Sequence, residues 1–486
     1  MTTASDQHFD VIILGAGPAG AAAALRARTL GARVAVVERK RAGGTCTNSG
    51  CVPTRVLAKT SRILRDIHDA QHYGIHVSEP QLVWSETQAR VMQVIEQVHG
   101  AKHQERNIKQ AGAEYIQAAA TFINPHEITL SSVQNGSAVQ NGGQRTLYAN
   151  KFILCCGGHP ARLPIPGAEL ALTSDDLWTL PTLPRSAIIV GTGATGVQLA
   201  SVFHSFGMTL TLLESAPHVL PSEDPDVAEV LAEAFHEQGI HMVTGIGGVD
   251  QIEALPDGTR RLTYRKADQT HTIDAEAVFF AVGWPGNIEG LGLEAAGVEL
   301  RKRWIAVNDY LQTSAEHIYA AGDITGRMML VQAADYEAHI AAENAVRGSQ
   351  LRSQHLVVPH GSFTDPEIAS VGLTESEARE QFPDCLTATA HYRHLERALI
   401  DNHPAGLLKL IVDAKTRKLL GAHAAGEQAV GTIQAVAVGL AADVTIDQLA
   451  ALELAYPTYA EIIASAARKL APNIGQVEMM PLWKSK

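Results

Sequence analysis

The chain has 486 residues with 51 acidic and 39 basic side chains, a formal net charge of −12 and an isoelectric point near 5.9, a balance that argues against nucleic acid or an anionic membrane surface as partner. That length predicts about three domains, each large enough to bury its own core. Five cysteines in so long a chain, no cluster among the 21 histidines and a polar stretch from Met1 to His8 predict a reducing, cytoplasmic setting, no metal site, no signal peptide and no membrane span.

The run Asp10-Val11-Ile12-Ile13-Leu14 reads as a buried parallel strand, and the alanine-rich stretch to about Leu30 as the helix that follows it. Between them lies Gly15-Ala16-Gly17-Pro18-Ala19-Gly20. Gly15 permits the tight turn, Gly17 lets backbone amides approach a pyrophosphate at the helix N-terminus, and Gly20 lets helix and strand pack closely. A second strand, Arg33 to Val37, closes on Glu38, whose carboxylate suits ribose hydroxyls. Strand, glycines, helix, strand and acid in this order form a dinucleotide site, which a lone glycine pattern would not establish.

Cys46 and Cys51 follow in Gly43-Gly44-Thr45-Cys46-Thr47-Asn48-Ser49-Gly50-Cys51-Val52-Pro53. Their placement reads as a working redox pair; the alternatives are a zinc half-site or two unrelated buried thiols. Zinc ligands are usually closer in sequence and need two more sulfur or imidazole groups, which this stretch lacks. An ordinary helix separates residues five apart by about 7.5 Å, whereas disulfide α-carbons lie roughly 4.4 to 6.8 Å apart. The segment must therefore be distorted, and Gly50 supplies the freedom.

Residues Ser131 to Gln144, with Asn135-Gly136 and Asn141-Gly142-Gly143, read as an exposed hairpin or loop. Cys155 and Cys156 follow the strand Phe152-Ile153-Leu154; they read as small apolar side chains ending a buried strand, or else as a second thiol pair. Prolines 160, 164, 166, 181 and 184 mark a crossing between domains. The nucleotide grammar then recurs: Ala187 to Val190, Gly191-Thr192-Gly193-Ala194-Thr195-Gly196, a helix through Phe206, and the strand Thr209 to Leu213 closing on Glu214. Glu214 would repel a 2′-phosphate and no Arg follows closely, so NAD(H) is expected in preference to NADP(H); the plain alternative is a solvated strand-end acid. A helix from about Met329 to Arg347 and a last unit from near Val357, with strands at Leu407 to Asp413 and Lys418 to His423, complete the chain.

With these motifs, together with Ala281-Val282-Gly283, Ile318-Tyr319-Ala320-Ala321-Gly322-Asp323 and Tyr456-Pro457-Thr458 before Glu461, the chain resembles the class I pyridine nucleotide-disulfide oxidoreductases over almost its whole length. The resemblance implies an α/β fold with two Rossmann-like dinucleotide-binding domains and a C-terminal α+β dimerisation domain. Its division would be 1–160 (FAD, first part), 161–285 (NAD), 286–352 (FAD, second part) and 353–486 (dimerisation). FAD would use Gly15, Gly17, Gly20, Glu38, Gly44, Thr45, Gly157, Gly322 and Asp323, with Asp323 on the ribityl chain. NAD(H) would use Gly191, Gly193, Gly196, Gln198, Glu214 and Gly283. The resemblance further implies a homodimer in which reducing equivalents pass from NADH by way of FAD to a Cys46–Cys51 disulfide. Cys51 would be the thiolate against the flavin, favoured by a helix N-terminus, and Cys46 the thiol that meets a small-molecule electron acceptor.

Five positions depart from the family pattern. Tyr456 stands where disulfide reductases carry an acid-base His, although the orienting Glu461 is kept; a phenol with an ordinary pKa of about 10 is a poor base at neutral pH. Arg55 and Gln198 replace a Lys–Glu pair beside the flavin and nicotinamide. The fork of Arg55 suits the Gln198 carbonyl, another carboxylate or a substrate oxygen, and loss of the anion leaves added positive charge at the flavin. Ala194 is smaller than in many relatives, leaving a more open nicotinamide pocket, and Trp284 replaces a frequent Arg.

The expected activity is NADH-driven, FAD-dependent reduction of a non-bulky acceptor such as a metal ion, a quinone-like oxidant or a small thiol-reactive compound. Alternatives are dihydrolipoamide dehydrogenase, which Tyr456 opposes; a soluble transhydrogenase-like enzyme, which shares the Tyr but has an incomplete cysteine pair; and a redox-sensing flavoprotein of low turnover. The tail Val477-Glu478-Met479-Met480-Pro481-Leu482 has no Cys, and no N-terminal metal-binding module is evident, so full mercuric reductase chemistry is not expected.

Overall fold

The computed structural model describes residues 7–134, 137–139, 145–348 and 350–472. The first strand, β1 (His8–Leu14), is buried on both faces from Val11 onward, as expected of a continuous apolar run within a parallel sheet. It pairs in parallel with β2 (Val34–Glu38) on one side and with the strand Arg145–Leu154 on the other. The short strand Ile318–Ala320 adds in parallel beyond that, Ala320 opposite Leu154. In this register Leu14, Val37, Leu154 and Ala320 end at one sheet edge. The segments that leave them, at Gly15, Glu38, Gly157 and Asp323, therefore converge, although more than 300 residues separate the first from the last. Carboxyl ends of parallel strands are where nucleotides dock in such folds.

Helix α1 (Pro18–Thr29) covers this sheet and packs with the helix Val331–Arg347 through a layer rich in alanine. Small side chains permit that close approach. The cysteine segment forms two helices, α2 (Gly44–Asn48) and α3 (Cys51–Asp69), separated at Ser49-Gly50. In α3, Pro53, Leu57, Ser61 and Leu64 form the buried stripe, at the three- and four-residue spacing of an amphipathic helix.

A second parallel sheet places Ser186–Val190 between Thr209–Leu213 and Ala277–Phe280, with His241–Val243 at the edge. It is followed in space by a three-stranded antiparallel ribbon, Gly248–Ala254, Arg260–Lys266 and Gln269–Ala275. The proline-rich crossing carries two short 3₁₀ turns, Ala168–Leu170 and Ser174–Thr179. It is more than a tether, since Leu177 is fully buried and the Trp178 indole donates to the Ser49 carbonyl at 3.1 Å.

The last unit is a five-stranded antiparallel sheet, ordered His360–Ser362, Glu367–Gly372, Leu419–Gly426, Gly406–Val412 and Leu386–His391. Helices Ala429–Ala441 and Glu461–Leu470 pack on it around Tyr392, Ile433 and Ile462. The molecule thus combines two Rossmann-like dinucleotide-binding units with a C-terminal α+β unit. The expected hairpin is present as Glu127–Gln134 paired with Ser137–Val139; Asn135-Gly136 and Asn141-Gly142-Gly143 lie outside the described residues, as does the tail containing Val477 to Leu482. No described helix is long and apolar enough to cross a membrane.

Candidate active site

The two glycine turns are built alike. Gly15 has φ +100°, and a Cβ there would fall 2.4 Å from the Cys155 carbonyl oxygen; a Cβ on Gly20 would fall 1.9 Å from the Gly15 oxygen. Gly191 and Gly196 repeat this, against the Ala281 oxygen at 2.4 Å and the Gly191 oxygen at 2.0 Å. By contrast, a Cβ on Gly193 would meet nothing within 4 Å, and one on Gly17 only the Gly44 α-carbon at 3.7 Å. The first and last glycines serve packing, while the middle ones face open space over a helix N-terminus, where a pyrophosphate fits.

The two strand-end acids differ. Glu38 accepts the Ala16 N–H at 2.6 Å on one oxygen and the Lys40 N–H at 2.7 Å on the other. A carboxylate offers about four acceptor directions, so room remains for ribose hydroxyls. Glu214 is filled by the glycine turn and by the loop that follows it: Oε2 accepts the Thr192 N–H and hydroxyl, each at 2.8 Å, and Oε1 accepts the Ser215 hydroxyl at 3.1 Å and the Ala216 N–H at 2.9 Å. Burial works to raise its pKa, yet these donors hold it below the usual carboxylate value. At 7% exposure it is not a solvated strand-end acid.

Gly50, between the cysteine helices, has φ −113° and ψ −104°, and its N–H donates to the Thr45 carbonyl at 2.7 Å. A Cβ there would sit 3.1 Å from both that oxygen and Thr45 Cγ2. The break brings the two thiols close enough to act on each other. That contact lowers the Cys46 pKa to about 7, since the neighbouring S–H stabilises its thiolate, with Lys102 adding to the effect; the same contact, together with burial, raises Cys51. Cys46 is thus the thiol whose ionised form the contact favours, whereas the expectation from sequence was Cys51. Asn48 fixes the turn, donating to the Gly44 carbonyl at 2.9 Å and bonding His99 at 2.8 Å.

Asp323 is held at the sheet edge, where burial pushes its pKa up and the Trp284 indole N–H, 3.1 Å from Oδ2, opposes that shift. Trp284 lies against Gly158, where a Cβ would be only 2.5 Å from the indole, and its carbonyl accepts from Trp304 at 3.0 Å. Gly322 donates to the buried Glu337 at 2.7 Å, which also bonds His355 at 2.8 Å. Gly157 and Gly283 have φ +67° and +119° at their strand ends.

The replaced pair does not bond to itself. Arg55, on the exposed side of α3, sets its guanidinium carbon 2.9 Å from the Phe363 ring centroid, while Gln198 Oε1 accepts the Phe363 N–H at 3.1 Å. Ala194 opens its helix in an exposed position. Tyr456 is 67% exposed, and Glu461 begins the helix Glu461–Leu470; among the described residues no hydrogen bond or ring contact joins Tyr456 to the cysteine segment within one chain. Cys155 is buried and its pKa lies well above the ordinary thiol value, while burial pushes Cys156 up to about 12. Cys156 donates weakly to the Leu14 carbonyl at 3.4 Å. Both close a strand, Cys155 buried and Cys156 half-buried, and Cys385 is buried too. Sequence reasoning missed Phe363 altogether and had no role for Trp284; no local pattern around either announces its partner.

Two dinucleotide cradles flanking a helix-break dithiol define a nucleotide-dependent thiol oxidoreductase. The profile of the pyridine nucleotide-disulphide oxidoreductases matches residues 9–338, and that of their dimerisation domain residues 358–467. The chain is 33% identical to a mercuric reductase of Staphylococcus aureus over 97% of its length and 84% of that protein's. It is 31% identical to a dihydrolipoyl dehydrogenase of Bacillus subtilis (95% and 97% covered) and 30% identical to a glutathione reductase of a Nostoc species (93% and 98%). The chain belongs to the pyridine nucleotide-disulphide oxidoreductase family, whose members depend on FAD and a pyridine nucleotide.

Proposed function

We propose that this protein is a homodimeric, NADH-dependent oxidoreductase in which a Cys46–Cys51 disulfide takes up two electrons and two protons and delivers them to a non-bulky acceptor: a metal ion, a quinone-like oxidant or a small thiol-reactive compound. The observation that carries this reading is Tyr456, 67% exposed in the position of an acid-base His. Thiol–disulfide interchange with a bulky substrate needs a base to take and return the thiol proton. A phenol does this poorly near pH 7, whereas an acceptor that binds a thiolate directly has less need of it. The lowered pKa of Cys46 supports the same choice, because the thiolate is the nucleophile and the metal ligand.

FAD would lie on the Gly15–Gly20 turn, with Glu38 at its ribose, Gly44, Thr45 and Gly157 along its length and Asp323 on the ribityl chain, and would supply the two-electron carrier between NADH and the disulfide. Gly191, Gly193, Gly196 and Gly283 would cradle NADH, with Gln198 near the nicotinamide end. Glu214 favours NADH over NADPH by charge, since a saturated carboxylate still repels a 2′-phosphate. Cys51 would face the flavin and Cys46 the acceptor. Tyr456 and Glu461 would be contributed by the other subunit. Exposed apolar side chains in the C-terminal unit, among them Leu399, Ile400 and Val438, support a dimer contact. The proposed division is 1–160 and 286–352 for FAD, 161–285 for NAD and 353–486 for dimerisation.

Anaerobic titration with NADH tests the reading. Uptake of two electron pairs per FAD is expected; uptake of one would remove the disulfide from the circuit and overturn it. Lipoamide turnover matching that of a His-bearing relative would instead favour dihydrolipoamide dehydrogenase.

A further inference from the structure

Behind Arg55 lies a cavity of about 560 Å³, walled by α3, the far end of the helix Ala194–Ser205 and the segment 363–365. Its wall is not part of either glycine turn or of the cysteine break. Arg55, Lys59, Arg62 and Arg65 line it from α3, and Asp365 and Glu367 face them. Two of the cations are neutralised in place: Arg62 pairs with Glu427, and Arg65 with Asp365 and Glu427. Glu367 accepts the Val430 N–H at 3.2 Å, and its burial favours the uncharged form.

That leaves Arg55 and Lys59. Arg55 rests on an aromatic ring; burial works against its charge, and the field of Glu367, at longer range, favours it. Lys59 is exposed, and it forms no ion pair among the described residues. At a spacing of four they stand on one face of α3, with Cβ atoms about 5–6 Å apart, close enough for two long, flexible side chains to converge on one tetrahedral dianion. Uncharged polar side chains, Ser205, Gln238 and Thr364, also line the wall. The volume falls in the range of small-molecule sites, about 300–1,000 Å³, and far exceeds a bare phosphate.

We infer that this cavity is a binding site for a small organic phosphate, its dianionic head bridging Arg55 and Lys59 and its polar body lying along Ser205 and Gln238. The ligand adjoins the nicotinamide end of the proposed active site without entering it. Its binding draws Arg55 off the Phe363 ring and so couples occupancy to the charge beside the flavin.

The test is calorimetric titration of the FAD-loaded protein with inorganic phosphate as probe, at ionic strength held constant with chloride and with NAD⁺ saturating so that the Gly191–Gly196 cradle is blocked. One saturable site per chain is expected, with its dissociation constant raised at least tenfold in Lys59→Met and largely restored in Lys59→Arg. Because Lys59 is exposed, these variants should fold; unchanged thermal denaturation is the control. An absence of saturable binding, or an affinity that Lys59→Met leaves unaltered, would overturn the site. Neither outcome depends on which acceptor the enzyme reduces.

Discussion

Arg55 reaches Phe363 and not Gln198: its guanidinium carbon is 2.9 Å from the ring centroid, and the Gln198 carbonyl accepts the Phe363 N–H at 3.1 Å. A cation over a ring is worth about 0.5–2 kcal/mol, comparable to the ion pair that the sequence gives up. The arrangement keeps a permanent positive charge at the junction of α3, the second glycine helix and the C-terminal sheet, with no carboxylate in hydrogen-bond contact among the described residues.

That charge should stabilise a reduced, anionic flavin. Arg55→Met is expected to lower the two-electron midpoint potential by about 30 mV, the equivalent of roughly 1.4 kcal/mol, as measured by spectroelectrochemistry against reference dyes. An unchanged potential would mean that the guanidinium does not act on the flavin.

The thiol pair predicts a pH dependence. With the Cys46 pKa lowered to about 7 by the Cys51 hydrogen bond, the thiolate is the minor form below pH 7 and the major form above it. Alkylation of the NADH-reduced protein by iodoacetamide should rise about tenfold from pH 6 to a plateau above pH 8. Cys51→Ser should move the midpoint toward an ordinary thiol value, because a hydroxyl is a less fitting partner. A midpoint near 9 in the unaltered protein would show the thiols are not in contact.

Trp284 positions Asp323 through a 3.1 Å hydrogen bond. Bonds to charged groups are worth about 1.5–3 kcal/mol, so Trp284→Phe should weaken FAD retention by about tenfold or more, read by ultrafiltration and by recovery of flavin fluorescence. Retention equal to the parent would leave the indole a packing residue only.

Lys409 joins two domains. Its ammonium, 4% exposed, lies 3.1 Å from Asp224, 3.3 Å from Asp226 and 2.5 Å from Glu375. Asp224 is fully buried and caps the helix Pro225–Glu237. Lys409→Met strands that carboxylate and should cost about 3–5 kcal/mol, visible as a large fall in the denaturation midpoint. Adding Asp224→Asn should recover part of the loss; if it recovers none, the ion pair is not the cause.

Tyr456→His is expected to raise turnover of a lipoamide-type disulfide by about 10²-fold, the usual yield of a positioned general base. Glu461→Gln in that background should reduce the gain. A Tyr456→His enzyme as slow as its parent would place the block on bulky disulfides elsewhere.

Local pattern sufficed for the two glycine turns, the strands that feed them and the distortion at Gly50, because each rests on forces acting within some thirty residues: backbone sterics, strand burial and the amides of one helix end. The Glu38 and Glu214 positions were equally legible as strand-end acids. What separates them, open acceptors on one and a carboxylate saturated by Thr192, Ser215 and Ala216 on the other, is a matter of loop geometry that identical motif letters do not encode. Phe363 between Arg55 and Gln198, Trp284 on Asp323 and Lys409 on Asp224 were decided only by the tertiary structure. Each joins residues from 39 to more than 300 positions apart, and such contacts depend on how separate sheets are packed, a property of the folded whole that no sequence window contains.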